Sequence, residues 1–140
     1  LGQSLDLQFE NKKINKKKIL NMYQKKTGKL FEFCFASPFI LAKAEKKYIN
    51  FAKDFGLLFG LIFQIIDDLR DQTGTFNTIG KTPGKDYKQG KGTLIKLIGR
   101  KEAIKFCNHK LNNFKIKNKK ILQRHPILNE LLDIGITRIN

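Results

Sequence analysis

The chain has 140 residues, which is enough for one domain with a hydrophobic core of its own. Lysine and arginine number 28 against 12 aspartate and glutamate residues, and the formal net charge of +16 favours anionic partners such as nucleic acid, a lipid surface or a phosphorylated small molecule. Cys34 and Cys107 form no CxxC unit and the two histidines lack metal-ligand spacing, which argues against a disulfide scaffold and a His/Cys metal centre.

Apolar residues recur at helical spacing along most of the chain, and no segment alternates with period two for long enough to indicate a strand. The sequence therefore predicts an all-α domain. Its predicted helices cover residues 5–9 (the end of a helix), 14–26, 30–44, 47–70, 94–118 and 127–139. Thr27 and Gly28 are predicted to interrupt the chain between the helices that end at residue 26 and begin at residue 30.

The segment 73–93 contains five glycines and one proline and is predicted to be a long loop. Loops of more than about 12–15 residues in compact domains tend to be functional or disordered. The glycines allow the backbone to approach a ligand closely, and lysines lie among them. These lysines are Lys81, Lys85, Lys88 and Lys91.

The longest apolar passage, residues 55–66, includes Gln64 and is shorter than the roughly 20 residues that a helix needs to cross a bilayer. We therefore expect no membrane span. No signal-like leader is visible and the two cysteines are far apart, which favours reduced thiols in a cytoplasmic protein.

Three aspartates interrupt the apolar helix predicted over residues 47–70, close to its C-terminal end. On a helical wheel, at about 100° per residue, they fall with Gln64 within one arc of about 100°. These aspartates are Asp67, Asp68 and Asp71. On the same side of the helix, in the turns that precede the aspartates, the residues are apolar, which implies that this side is buried as well. The apolar positions above the acids are Leu57, Gly60 and Leu61.

Three carboxylates at a helix C-terminus are electrostatically unfavourable unless cations compensate them. One interpretation is neutralisation by basic side chains, with Arg70 as a neighbour. The other is a divalent cation, because magnesium prefers one or two carboxylates together with water and substrate phosphates. Acids that hold a metal, followed by flexible lysines, suit the binding of a diphosphate. A P-loop does not explain the lysines, because its template requires glycine where this chain has Thr75.

Four motifs follow one another along the chain: "GQSLDL" at residues 2–7, "KTGKLF" at 26–31, "FQIIDDLRD" at 63–71 and "GKTPGKDYKQGKGT" at 80–93. In these motifs and in their order the chain resembles the C-terminal half of a polyprenyl synthetase, the trans-isoprenyl diphosphate synthase family that includes farnesyl and geranylgeranyl diphosphate synthases. The resemblance implies a bundle of long helices around a central cavity. Gly60 and Leu61 would then face that cavity beside the acids.

The resemblance also assigns roles to individual residues. Asp67, Asp68 and Asp71 match the second aspartate-rich motif, which binds Mg²⁺ on the allylic diphosphate. Gln3 and Asp6 match the short-chain signature "GQxxDL". The positions that match contacts to the diphosphate are Lys26, Thr27, Gln64, Lys81 and Lys91.

The implied activity is head-to-tail condensation of an allylic diphosphate with isopentenyl diphosphate. The metal and the lysines, with Asp67, Asp68 and Lys81 as the implied catalytic residues, stabilise the departing diphosphate, and the double bond of isopentenyl diphosphate attacks the carbocation. Nothing here matches the first aspartate-rich motif or the basic residues that hold isopentenyl diphosphate. We therefore expect residues 1–140 to be the C-terminal portion of a single synthase domain, inactive alone and homodimeric at full length.

Two other classes of function remain open. A non-catalytic, synthase-like subunit would share the fold and retain the motifs by descent. A basic nucleic-acid-binding protein would explain the charge, but the basic residues are dispersed and not interleaved with exposed aromatics, so no nucleic-acid partner is expected.

Overall fold

The computed structural model describes residues 2–73 and 91–137, and in these ranges the chain forms helices joined by turns, with no strand. The helices are α1 (Gly2–Gln8), α2 (Lys16–Tyr23), a π turn (Gln24–Gly28), α3 (Lys29–Leu41), α4 (Lys46–Thr73), α5 (Leu94–Ile98), α6 (Arg100–Lys117), α7 (Lys119–Arg124) and α8 (Pro126–Thr137). The predicted all-α fold class is confirmed.

Side-chain caps begin two of the helices where polar residues precede apolar ones. The Asn15 side chain accepts a hydrogen bond of 3.0 Å from the Lys18 N–H at the start of α2. The Thr93 hydroxyl accepts one of 3.2 Å from the Lys96 N–H at the start of α5. The second cap places α5 directly after the glycine-rich segment, most of which lies outside the described residues.

The predicted interruption at Thr27 and Gly28 is wrong. The π turn joins α2 to α3 without a break, and the Lys29 N–H donates to the Gln24 carbonyl in the wider π pattern. Gly28 has helical backbone angles, φ −58° and ψ −41°, so its missing side chain does not serve to bend the chain. Its Cα lies close to Gly60 of α4, where a Cβ on Gly60 would come within 2.8 Å of it.

The single helix predicted over residues 94–118 is also wrong, because it is divided at Gly99. That glycine has φ +82°, a left-handed conformation that residues with a Cβ rarely adopt, and it separates α5 from α6. A short additional helix, α7, follows Asn118. The prediction missed both features because the apolar periodicity continues across them.

The hydrophobic core is assembled around α4. α3 and the π turn pack along one side of α4, and α2, α5, α6 and α8 contact it elsewhere. Phenylalanine rings from α3, α4 and α6 form a cluster with centroids 4.7–6.4 Å apart. The rings of this cluster are Phe35, Phe51, Phe55, Phe59 and Phe114.

Within the described chain, one helical segment, Lys46–Asp71, is long and apolar enough to cross a membrane, with a mean hydropathy of 1.5 in its most apolar window. Inside the fold, 56% of that window is buried. The core helix of a soluble protein meets the same criteria of length and composition, so these criteria do not assign α4 to a membrane.

Glycines allow α4 to approach α3 and the π turn closely. A Cβ on Gly60 would lie 2.8 Å from the Gly28 Cα, and a Cβ on Gly56 would lie 2.5 Å from the Phe31 carbonyl oxygen. Real Cβ atoms do not approach backbone atoms so closely. The π turn is therefore held directly against α4 at the level of Gly60, four residues before Gln64.

Candidate functional site

Polar side chains are buried in the C-terminal third of α4, where the core would otherwise be apolar. Gln64 is 5% exposed, Asp68 4% and Asp71 2%. Buried polar groups are costly unless they form hydrogen bonds, so their partners define what this part of the helix does.

A continuous hydrogen-bond network connects the π turn, α4, α2 and the start of α5. The Thr27 hydroxyl donates to Gln64 Oε1 at 2.6 Å, and Gln64 Nε2 donates to Asp68 Oδ1 at 2.9 Å. The buried Tyr23 hydroxyl donates to Asp68 Oδ2 and accepts from the Leu94 N–H at 2.8 Å. Both carboxylate oxygens of Asp68 therefore accept hydrogen bonds from side chains.

Burial dominates the acid–base behaviour of this network. It raises the pKa of Asp68 to about 7, although hydrogen bonds from Tyr23 and Gln64 act in the opposite direction by stabilising the carboxylate. Burial and the neighbouring Asp68 carboxylate also raise the pKa of the Tyr23 phenol, so Tyr23 stays protonated and acts as a donor. A neutral donor thus faces a carboxyl group that titrates near neutrality.

A second polar contact lies on the other side of the π turn. Lys26 Nζ forms an ion pair of 2.6 Å with Asp6 Oδ2, and the two side chains are 24% and 12% exposed. α1 approaches the π turn closely at this point, because a Cβ on Gly2 would lie 2.3 Å from the Lys26 Cα. Asp6 therefore fixes the position of the Lys26 ammonium group.

The structure brings together five of the residues predicted for the site, from three separate motifs. These are Asp6, Lys26, Thr27, Gln64 and Asp68. Gln3 is exposed on α1, and Lys91 is half-buried just before α5. Lys81 lies outside the described residues, so its predicted role stays a prediction.

The three aspartates do not form a shared metal-binding group in the described arrangement. Among residues 2–73 and 91–137, no set of three or more histidine, cysteine, aspartate or glutamate side chains is placed to hold a metal ion. Asp67 is half-buried and, with Arg70, lines a cavity of about 350 Å³ between α4 and α8, whereas Asp68 belongs to the hydrogen-bond network. The magnesium site of Asp67, Asp68 and Asp71 stays a prediction.

An apolar groove of about 1070 Å³ runs beside the network between α2, α4 and α6. Leu57 and Leu61 line it, as expected for positions that face a cavity. Gly60 does not line it, because its backbone contacts Gly28. The rim is basic, with the lysines Lys16, Lys17, Lys18 and Lys110.

Tyr23 is the member of the network that sequence reasoning did not assign to the site. In the sequence it stands at helical spacing with Ile19 and Met22, a pattern that indicates a buried helical face and no role in a site. The available signal was its type, since a buried tyrosine hydroxyl requires a hydrogen-bond partner. The pattern did not indicate which partner it would meet.

Comparison with known proteins identifies the family. The polyprenyl synthetase family matches residues 1–125. The farnesyl diphosphate synthase of Micrococcus luteus is 34% identical over 110 residues, which are 79% of this chain and 38% of that protein. The farnesyl diphosphate synthase of Bacillus subtilis is 32% identical over 111 residues, 79% of this chain and 36% of that protein. The chain thus spans a little over a third of the length of these two relatives.

Solved structures with the same fold are also prenyl diphosphate synthases. The heptaprenyl diphosphate synthase from Staphylococcus aureus has a TM-score of 0.67 at 22% identity and covers 98% of this chain and 46% of its own. The decaprenyl diphosphate synthase from Rhodobacter capsulatus has a TM-score of 0.68 at 22% identity, covering 99% and 54%. This chain therefore shares the fold of these two synthases. Because the family match covers residues 1–125, the chain belongs to the polyprenyl synthetase family.

Proposed function

We propose that this chain supplies the diphosphate-binding side of a prenyltransferase, which condenses an allylic diphosphate with isopentenyl diphosphate in short-chain, head-to-tail elongation. The observation that carries the proposal is the hydrogen bond between Thr27 on the π turn and Gln64 on α4, next to Lys26, which is paired with Asp6. These residues come from two motifs 37 positions apart, and the Thr27–Gln64 hydrogen bond joins them. The names of the relatives, farnesyl and geranylgeranyl diphosphate synthases, support the reaction class.

Lys26 is the charged group best placed to receive the diphosphate. An ammonium group has three N–H donors, and the bond to Asp6 uses one of them. The other two remain available for phosphate oxygens, while Asp6 limits the movement of the side chain. Lys81 and Lys91 are proposed to add positive charge to the departing diphosphate from the glycine-rich segment.

Thr27 and Gln64 contribute orientation. The single hydroxyl hydrogen of Thr27 is directed to Gln64, so Thr27 presents only lone pairs elsewhere while that bond persists. Gln64 Nε2 carries two hydrogens and gives one to Asp68, which leaves one N–H for a ligand. Donation from Thr27 to a phosphate oxygen would require release of the bond to Gln64.

Polyprenyl synthetases use divalent metal ions, and we propose that magnesium is the ion here. When bound, magnesium neutralises part of the diphosphate charge. Because the described carboxylates do not gather into a site of three, the proposal is that diphosphate and protein bind the ion jointly, with Asp67 as the more accessible carboxylate. Asp68 and Asp71 remain predicted ligands from the resemblance.

The apolar groove lined by Leu57 and Leu61 is proposed to hold the growing prenyl chain. Its apolar floor and basic rim match an amphiphilic anion. A cytoplasmic location and a homodimer are proposed for the complete enzyme, and the exposed apolar side chains of α3 support association.

A calorimetric titration of the complete enzyme with a non-cleavable allylic diphosphate analogue, with and without magnesium, tests this function. We expect tight binding only with magnesium, since the lysines alone provide a diffuse field and the carboxylates repel the ligand. Equal affinity with a chelator present would contradict the proposal. Binding of nucleic acid without metal, with an affinity that falls steeply as salt rises, would favour the basic-binding-protein alternative.

A further inference from the structure

When Asp68 is ionised, the direction of each hydrogen bond in the buried network follows from one backbone group, the Leu94 N–H. The Leu94 N–H can only donate, so the Tyr23 oxygen is its acceptor. The single hydrogen of the Tyr23 hydroxyl is then directed to Asp68 Oδ2. The hydroxyl therefore accepts one bond and has its only hydrogen committed to Asp68.

Asp68 transmits this direction to the predicted diphosphate residues. With Oδ2 occupied by Tyr23, Oδ1 faces Gln64, and a carboxylate oxygen requires a donor there. The Gln64 amide consequently presents Nε2 to Asp68 and Oε1 to Thr27. Each member determines which atom its neighbour presents.

We propose that Tyr23 is a positioning residue of the diphosphate site, which fixes the orientation of the Gln64 amide and the Thr27 hydroxyl through Asp68. The same hydroxyl ties these groups to the first residue of α5, where the chain returns from the glycine-rich segment. Asp68 then acts as the centre of a hydrogen-bond network in addition to, or in place of, its predicted role as a metal ligand. The proposal rests on the proposed function only in taking the anion to be a diphosphate.

The burial of the network supports a positioning role. Tyr23 is 1% exposed and Asp68 4% exposed, so water does not compete for their hydrogen bonds. The contact spans 45 positions in sequence, and the bond to Leu94 spans 71. One hydroxyl thus joins α2, α4 and α5 at the point where Thr27 and Gln64 meet.

Inorganic pyrophosphate with magnesium is the probe for the test, because it carries the diphosphate group without an allylic chain. We expect Tyr23→Phe to weaken pyrophosphate binding by the complete protein about tenfold, equivalent to about 1.4 kcal/mol. The matched control is Tyr48→Phe, which removes a tyrosine hydroxyl from a half-buried position near the start of α4. This variant should leave the dissociation constant unchanged. An unchanged dissociation constant in Tyr23→Phe would overturn the proposal.

A second measurement separates this proposal from the proposed function. The melting temperatures of Tyr23→Phe, Thr27→Val and the double variant form a cycle between residues joined through Asp68 and Gln64. We expect the melting temperature of the double variant to fall by clearly less than the sum of the decreases in the two single variants. If the unaltered protein does not bind pyrophosphate, the proposed function fails, and the cycle alone decides: additive losses overturn the positioning role, and non-additive losses support it.

Discussion

α3 and α4 pack against each other, yet they differ in how many of their apolar side chains they bury. On α4, Phe55 is 1% exposed and Ile65 0%, whereas on α3, Phe33 is 68% exposed and Leu41 83%. Both helices are rich in apolar residues, so composition does not explain the difference. The described part of the chain surrounds α4 and covers one side of α3, which shows that an apolar helix is buried only as far as its neighbours extend.

The outer surface of α3 therefore has the composition of an interface. Its exposed large apolar residues are Leu30, Phe33, Ile40 and Leu41. Contiguous apolar surface of this kind favours association. Three predictions about packing follow, ordered by the size of the expected effect, and the buried network leads to a fourth.

The thiols provide the largest contrast. Cys34 is exposed on α3, while Cys107 is buried on α6 and burial raises its pKa to about 12. We expect iodoacetamide to modify Cys34 in the native protein at least about a thousandfold faster than Cys107, which must await an opening of the fold that costs several kcal/mol. Mass spectrometry of peptides sampled over time measures both rates. Similar rates would mean that the core around α6 opens readily.

Alanine substitution of two phenylalanines tests the comparison directly. Phe55→Ala removes a ring from the aromatic cluster and should lower the free energy of unfolding by about 3–5 kcal/mol. Phe33→Ala removes a ring that is 68% exposed and should change it by less than about 0.5 kcal/mol. Urea denaturation measures both. A large loss from Phe33→Ala would show that another surface covers α3 in solution.

A smaller effect is expected where α4 meets the π turn. Gly60→Ala places a Cβ 2.8 Å from the Gly28 Cα, so the backbones must separate, and we expect a loss of about 1–3 kcal/mol. Gly28→Ala is the matched control from the other side of the contact, because its Cβ would meet Leu57 Cδ2 at an ordinary 3.5 Å. That substitution should be neutral or stabilising, since alanine favours helix. Equal losses would contradict the assigned geometry.

The last prediction concerns pH. Because the folded pKa of Asp68, about 7, exceeds the ordinary value of 3.8, the fold is stabilised by the proton that Asp68 retains. This stabilisation is fully present below about pH 4 and is lost as pH rises to about 7. The free energy of unfolding of the unaltered protein and of Asp68→Asn, determined in metal-free buffer between about pH 4 and about pH 7, measures this stabilisation. We expect the stability difference between them to change with pH, and a constant difference would contradict the raised pKa.

Much of the fold was predictable from periodicity alone. The apolar pattern indicates an all-α chain and the long helix α4, and it places Gln64 and Asp68 on one face of that helix, but it did not predict their hydrogen bond at i, i+4. Periodicity does not distinguish a glycine that separates two helices, such as Gly99, from one inside a continuous helix, such as Gly28, and it does not show that Gly60 contacts the π turn.

The missed part of the site depends on contacts that are distant in sequence. The bond from the Leu94 N–H to Tyr23 requires α5 to return to α2 after the glycine-rich segment, and no local pattern contains that geometry. Leu57 and Leu61 line the apolar groove, and the sequence could place them on one face of α4 because that is a local property, whereas their place in the family's central cavity stays a prediction.

The π turn has a consequence for how this part of the chain tolerates insertions and deletions. A π turn contains more residues than an α-helical turn, so loss of one residue within Gln24–Gly28 would restore a regular helix. Such a deletion would remove the widened turn from which Thr27 reaches Gln64. The number of residues between Tyr23 and Thr27 therefore matters for the site as much as the identity of those two residues.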